Sequence, residues 1–254
     1  MIQERNQRRN AGFTIVELMI AMAFISLLLL AIAGAVMQIG AIYNKGLTMK
    51  SVNQSGRIIV ADMKRTIGES QPFTLPAADS ALYGHVSPFV LQSGTGVINS
   101  GEAVAHGGRL CTGTYSYVWN IGTEIKSEDP NTWRNKYSGD DSDIRQIRLV
   151  KVRDNGGQYC MGDTTGAIDA TKSTELLSEG NLAIQKFHIE RLTTNVASGM
   201  ALYSIGITIS NADTEAINTV DNSCKPPSEV AVLQNFCSVN EFIFTTRTGN
   251  KGAQ

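Results

Sequence analysis

A proline-free apolar run from Phe13 to about Tyr43, interrupted by a single charge, constrains this chain more than any other feature. Its length matches the roughly 20 apolar residues that a helix needs to cross a bilayer. The one charge inside it is Glu17. A lone carboxylate in such a helix costs on the order of 3 kcal/mol unless it has a partner, so its retention points to a use. Arg5, Arg8 and Arg9 precede the run and favour the cytoplasmic side of a membrane. A secretory signal peptide places its small-residue cleavage site beyond the apolar stretch. Here Ala11 and Gly12 stand before it, at the basic end.

Gly12-Phe13-Thr14-Ile15-Val16-Glu17 resembles the class III signal of type IV pilins and related pseudopilins. The flanking Leu18-Met19-Ile20-Ala21 fits the same pattern, and the likeness covers about the first fifth of the chain. It implies that a prepilin peptidase cuts after Gly12 and methylates the new amine of Phe13. It implies that Phe13 and Glu17 serve subunit assembly. The expected organisation is a leader at 1–12, a pilin helix at 13–70 whose transmembrane part covers about 13–43, and a β-rich globular domain at 71–254. Loss of the leader makes the near-neutral chain slightly more acidic, and no basic surplus supports a nucleic-acid-binding domain.

The helix is expected to continue past the membrane. Met49, Val52, Gly56, Ile59, Met63 and Ile67 recur at spacings of three and four, with Lys50, Asn53, Arg57, Lys64 and Arg65 elsewhere on the cylinder. Such a period predicts one apolar stripe resting on a folded domain. A helix of this span is about 80 Å long at 1.5 Å per residue. Gly34, Gly46 and Gly56 each weaken it by about 1 kcal/mol relative to alanine. In the resembled family a proline or glycine near residue 34 accompanies local melting of the helix inside filaments. Glu17 has a partner available there: the amine of Phe13, on its own or a neighbouring subunit. Desolvation offsets much of that attraction, so the pair sets register more than it adds stability.

Beyond the helix the composition shifts towards Gly, Ser, Thr and Asn, and short alternating runs predict antiparallel strands. The fold class is therefore α+β: a long N-terminal helix packed on an antiparallel sheet. Expected strands are Arg109 to Ile121, with Cys111, Tyr115, Tyr117 and Trp119 on one face, then Ile144 to Arg153, Leu182 to Leu192, Leu202 to Ser210 and Glu241 to Arg247. Asp154-Asn155-Gly156-Gly157 predicts a hairpin turn, with Gln158 to Met161 returning beside the strand. Ser173 to Glu179 is expected to form a short helical turn. That turn, Gly180 and the following strand resemble the globular domain of PilW-type minor pilins and J-type pseudopilins. Segments 71–107 and 122–143 read as long loops.

Four cysteines, Cys111, Cys160, Cys224 and Cys237, follow an export anchor, which favours disulfides over free thiols. Three pairings are open on the residues alone. The pilin resemblance implies Cys224 with Cys237, closing a C-terminal loop, and leaves Cys111 with Cys160. No CxxC pair supports zinc. Asp140, Asp141 and Asp143 lack the ligand spacing of an EF-hand and read as a solvated turn. His85, His106 and His188 are scattered. No nucleophile, metalloprotease or phosphate-loop motif occurs, so neither catalysis nor a cofactor is expected.

What the resemblance implies is a minor pilin, non-enzymatic, held in the cytoplasmic membrane before assembly and carried in an extracellular pilus after it. Its partners would be other pilin subunits, the prepilin peptidase, the inner-membrane assembly platform and, before assembly, the lipid bilayer. Two other readings stay open: a pseudopilin of a type II secretion or competence DNA-uptake system, and a tip-located adhesin presenting Tyr83, Tyr115, Tyr117, Trp119 and Trp133.

Overall fold

The computed structural model describes residues 14–72, 75, 96–100, 107–125, 135–138, 146–154, 156–160, 167–177, 181–195, 200–211, 215–218, 223–226 and 237–249. The chain divides into two compact units, Met1–Asn44 and Lys45–Gln254. Helix α1, Ile15–Gly68, begins in the first and ends in the second. In the first unit it is exposed all round, with Ile15, Phe24, Leu30 and Ile42 each more than two-thirds accessible. A helix apolar on every side has no water-facing stripe, which suits lipid or other helices.

The second unit holds the amphipathic part of α1 and two antiparallel sheets. The larger sheet runs in chain order through β1 (Gly96–Ser100), β2 (Gly107–Cys111), β3 (Tyr115–Asn120), β4 (Leu149–Arg153) and β5 (Ser173–Glu175). The smaller is β6 (Leu182–Asn195), β7 (Met200–Asn211) and β8 (Val239–Arg247), again in order. A short helix, α2 (Gly122–Ile125), follows β3, and a parallel bridge from Ile121 to Ile184 links the two sheets. Trp119 and Phe187 stack across this junction with ring centroids 4.3 Å apart.

Val52, Ile59, Met63 and Ile67 of α1 enter one core with Leu110, Tyr117 and Trp119 from the first sheet and Tyr203, Ile205, Ile207 and Ile209 from β7. The predicted stripe is therefore buried, apart from Met49, which is half exposed. In β7 the residues between those four are small or polar, and they face the other side. The larger sheet is covered on both faces. Val118, Val150 and Val152 form a second core with Ile147 and Ile168 on the side away from α1.

Several elements differ from the sequence reading. The run Arg109–Ile121 is two strands, because the chain turns at Gly113 with φ +95°. Cys111 pairs with Ser116 and so lies on the face opposite Tyr117 and Trp119. Residues Gln158–Cys160 do not return as a strand directly after Arg153; among the described residues the next strand beside β4 is β5. Asp154 accepts from the backbone N–H groups of Gln158 (2.8 Å) and Tyr159 (3.3 Å), and residues Gln158–Cys160 coil into a 3-10 turn. Such side-chain capping competes with hairpin pairing. Ser173–Glu175 is a strand, not a helical turn; the turn lies just before it at Ala170–Lys172, capped by Asp169. The Glu175 carboxylate fixes this edge by accepting from the amides of Leu149 (2.8 Å) and Arg148 (3.2 Å). Segment 71–107 contains β1, and segment 122–143 opens with α2.

Cys224 and Cys237 form a disulfide that spans 13 residues. Cys111 is also disulfide-bonded, on the face it shares with Tyr159. The side chain of Cys160 lies outside the described groups.

Candidate functional site

The site is the start of α1 and the means by which its far end is held. Thr14 precedes the first helical residue and Glu17 is the third residue inside. The backbone N–H of Thr14 donates to Glu17 Oε2 at 2.9 Å, and the Glu17 N–H donates to Thr14 Oγ1 at 3.2 Å. The Thr14 hydroxyl donates to the same Oε2 at 2.9 Å. This is a reciprocal capping box, which satisfies two of the helix's unpaired N-terminal donors. The carboxylate also sits at the positive end of the helix dipole. Among the described residues no donor reaches Glu17 Oε1. Gly12 and Phe13 lie outside the described residues, so the pairing of Glu17 with the Phe13 amine is not observed. The S/T-x-x-E spacing was present in the sequence, but a charge-pair reading of Glu17 passed over Thr14.

The other end of α1 is locked to the larger sheet by a polar cluster. Lys151 Nζ donates to both carboxylate oxygens of Asp62 at 2.9 Å and to Thr66 Oγ1 at 2.8 Å. The Tyr117 hydroxyl donates to Asp62 Oδ2 at 2.7 Å. The Lys151 and Asp62 side chains are only 14% and 16% exposed. Burial alone raises the Asp62 pKa. The hydrogen bonds from Tyr117 and Lys151, with the Lys151 charge, outweigh it and hold the carboxyl below its usual value. Burial, reinforced by the Asp62 charge, pushes the Tyr117 phenol well up, so it stays a donor. Lys151 also lies 4.5 Å from the Tyr115 ring centroid. The signal for this cluster was a lysine between the two valines of β4, Val150 and Val152.

The smaller sheet fits α1 through a close approach. A Cβ on Gly56 would lie 2.2 Å from the Phe242 ring, so only glycine admits that ring. Asn240 donates to Asn53 Oδ1 at 2.6 Å on the same side. By contrast, a Cβ on Gly34, Gly40 or Gly46 would meet nothing within 4 Å.

The remaining expected positions divide between core and surface. Tyr117 and Trp119 are core residues. His188 lies across Gly206 on the outer face of the smaller sheet, its pKa lowered by burial and by Lys186. Among the described residues no three metal-ligating side chains converge. Tyr83, His85, His106, Trp133, Asp140, Asp141 and Asp143 fall outside the described residues.

Residues 7–35 match the prokaryotic N-terminal methylation motif. The motif supports a type IV pilin-like protein or pseudopilin, and with the apolar α1 it fits a subunit anchored in a membrane before assembly. No curated protein and no solved structure matches the chain.

Proposed function

We propose that this chain is a structural minor pilin subunit of a type IV pilus. The observation that carries the reading is the methylation motif running directly into an exposed apolar stretch of α1, up to Tyr43, whose only charge is Glu17. Prepilin peptidase cuts between Gly12 and Phe13 and methylates the freed amine. Residues 13–43 hold the subunit in the cytoplasmic membrane, with the β-rich domain, 71–254, outside. The assembly platform then extracts the subunit, and its helix packs among those of other pilin subunits in the filament.

The capping box supports a role for Glu17 in that transfer. It holds the carboxylate against the Thr14 amide, one peptide unit from the amine that cleavage creates. In a low dielectric a carboxylate and an amine attract strongly, yet each loses its water, so the contact aligns subunits more than it binds them. The incoming helix is thereby set in register with the base of the filament. A pseudopilin of a secretion or DNA-uptake machine would use the same motif in the same way; residence in surface filaments separates the two.

Glu17→Ala tests the reading. The variant should still be cleaved and should accumulate in the membrane, with its share in sheared filaments at least about tenfold down, equivalent to about 1.4 kcal/mol. Incorporation at the normal level would remove the assembly role of Glu17.

A further inference from the structure

Strand β8 ends the smaller sheet. It pairs with β7 on one side, and among the described residues no strand pairs with its other side. All nine of its residues pair in unbroken register, from Leu202↔Arg247 to Ser210↔Val239. Proteins ordinarily blunt such an edge with a lysine, a proline, a bulge or a short strand, because its free amides and carbonyls invite another chain. β8 runs for nine residues with no lysine, proline or bulge; its charges are Glu241 and Arg247, and Ile243 between them is 65% exposed.

A cleft of about 430 Å³ runs between α1 and this edge, walled by Arg57, Val60 and Lys64 on the helix and by residues 241–244 on the strand. Successive strand side chains point to opposite faces. A cleft that meets four in a row therefore follows the strand's edge, not one of its faces. Lys50, Arg57 and Lys64 are exposed and recur every seven residues, which keeps them nearly on one line of the helix. No acidic residue stands three or four positions from any of them on α1. Among the described residues Arg57 and Lys64 have no ion-pair partner; Lys64 lies 5.7 Å from the Phe244 ring centroid. Glu241 is the acid in the cleft lining, which leaves two cations against one anion.

We propose that this cleft is a docking site for an extended segment of a partner protein, one that alternates apolar and acidic residues and joins the sheet as a fourth strand beside β8. The segment's backbone would pair with the edge, as in other strand additions. Its carboxylates, on the face turned to α1, would meet Arg57 and Lys64, and the apolar side chains alternating with them would lie beside the exposed Ile243 on the opposite face. A second copy of this chain fits less well, since edge-to-edge pairing would gather both copies' cations around the same seam. The N-terminal motif plays no part in the proposal, so its fate is independent of the assembly reading.

The test uses the full chain in detergent micelles with two synthetic peptides, one alternating Val and Glu, the other alternating Val and Lys. Amide hydrogen exchange reads the site and fluorescence anisotropy reads affinity. The Glu peptide should slow exchange along β8 and bind at least about tenfold more tightly than the Lys peptide. The double variant Arg57→Glu, Lys64→Glu should reverse that preference, and both positions are exposed enough to leave the fold intact. If it does not fold, added salt weakening the Glu peptide on the unaltered chain tests the same charges. Absence of β8 protection by the Glu peptide, equal binding of both peptides, or salt-independent binding would overturn the proposal. So would β8 protection that rises with protein concentration alone, which would give the edge to a second copy.

Discussion

Glu17 serves its own helix whatever else it serves. With Thr14 it closes the first turn, so the carboxylate that looked unpartnered in the sequence has two donors within the chain. That lowers the cost of carrying it in an apolar helix and leaves one oxygen for a neighbour. Asp62 makes a second case for the reach of single side chains. Its folded pKa lies below the unfolded value, so its contribution to stability is present above the unfolded pKa of about 3.9 and is lost as pH falls through the folded pKa. Asp62→Asn should destabilise the second unit at pH 7 by about 3 kcal/mol, because Lys151 is left buried without its anion. It should also flatten the acid limb of the stability curve; urea midpoints measured across that range check both. Gly56→Ala should cost about 1–3 kcal/mol by driving a methyl group into the Phe242 ring. A melting temperature that did not fall would contradict the close approach.

Elements differ in how far their residues announce them. The second half of α1 was legible from a period near 3.6, and β7 from the strict alternation of Tyr203, Ile205, Ile207 and Ile209, because both patterns repeat over many residues. β1 and β5 were not. Each is short, and each is specified by the strand beside it and not by its own composition; β5 is held by Glu175 accepting from amides of the β4 segment. The turn at Asp154 was read correctly as a turn and wrongly as a hairpin, since Asp154 spends its oxygens on the next turn's amides. Of the site, Glu17 was visible as an anomaly of charge. Thr14, Asp62 and Lys151 were not, because their roles depend on partners three to 89 positions away. The glycines of α1 divide by element as well. Replacing Gly34, Gly40 and Gly46 together by alanine should add about 1 kcal/mol of helix propensity per site with nothing to clash. The expected readout in micelles is slower amide exchange over residues 34–46 and an unchanged melting transition of the second unit. A lowered transition would mean that these glycines make contacts within the chain.

For the whole molecule, the two units divide the labour. The first presents apolar surface on every side of a helix and has use for it only in a bilayer or among other helices. The second closes its own core around the amphipathic half of α1, with a disulfide between Cys224 and Cys237. On this account the chain is a subunit that exchanges one apolar environment for another, and processing at its N-terminus licenses the exchange. Intact-mass spectrometry of the chain recovered from sheared surface filaments tests this most directly. The account predicts a polypeptide beginning at Phe13, carrying one added methyl group and lacking residues 1–12. A chain that begins at any other residue, or one present in membranes and missing from filaments, would contradict it.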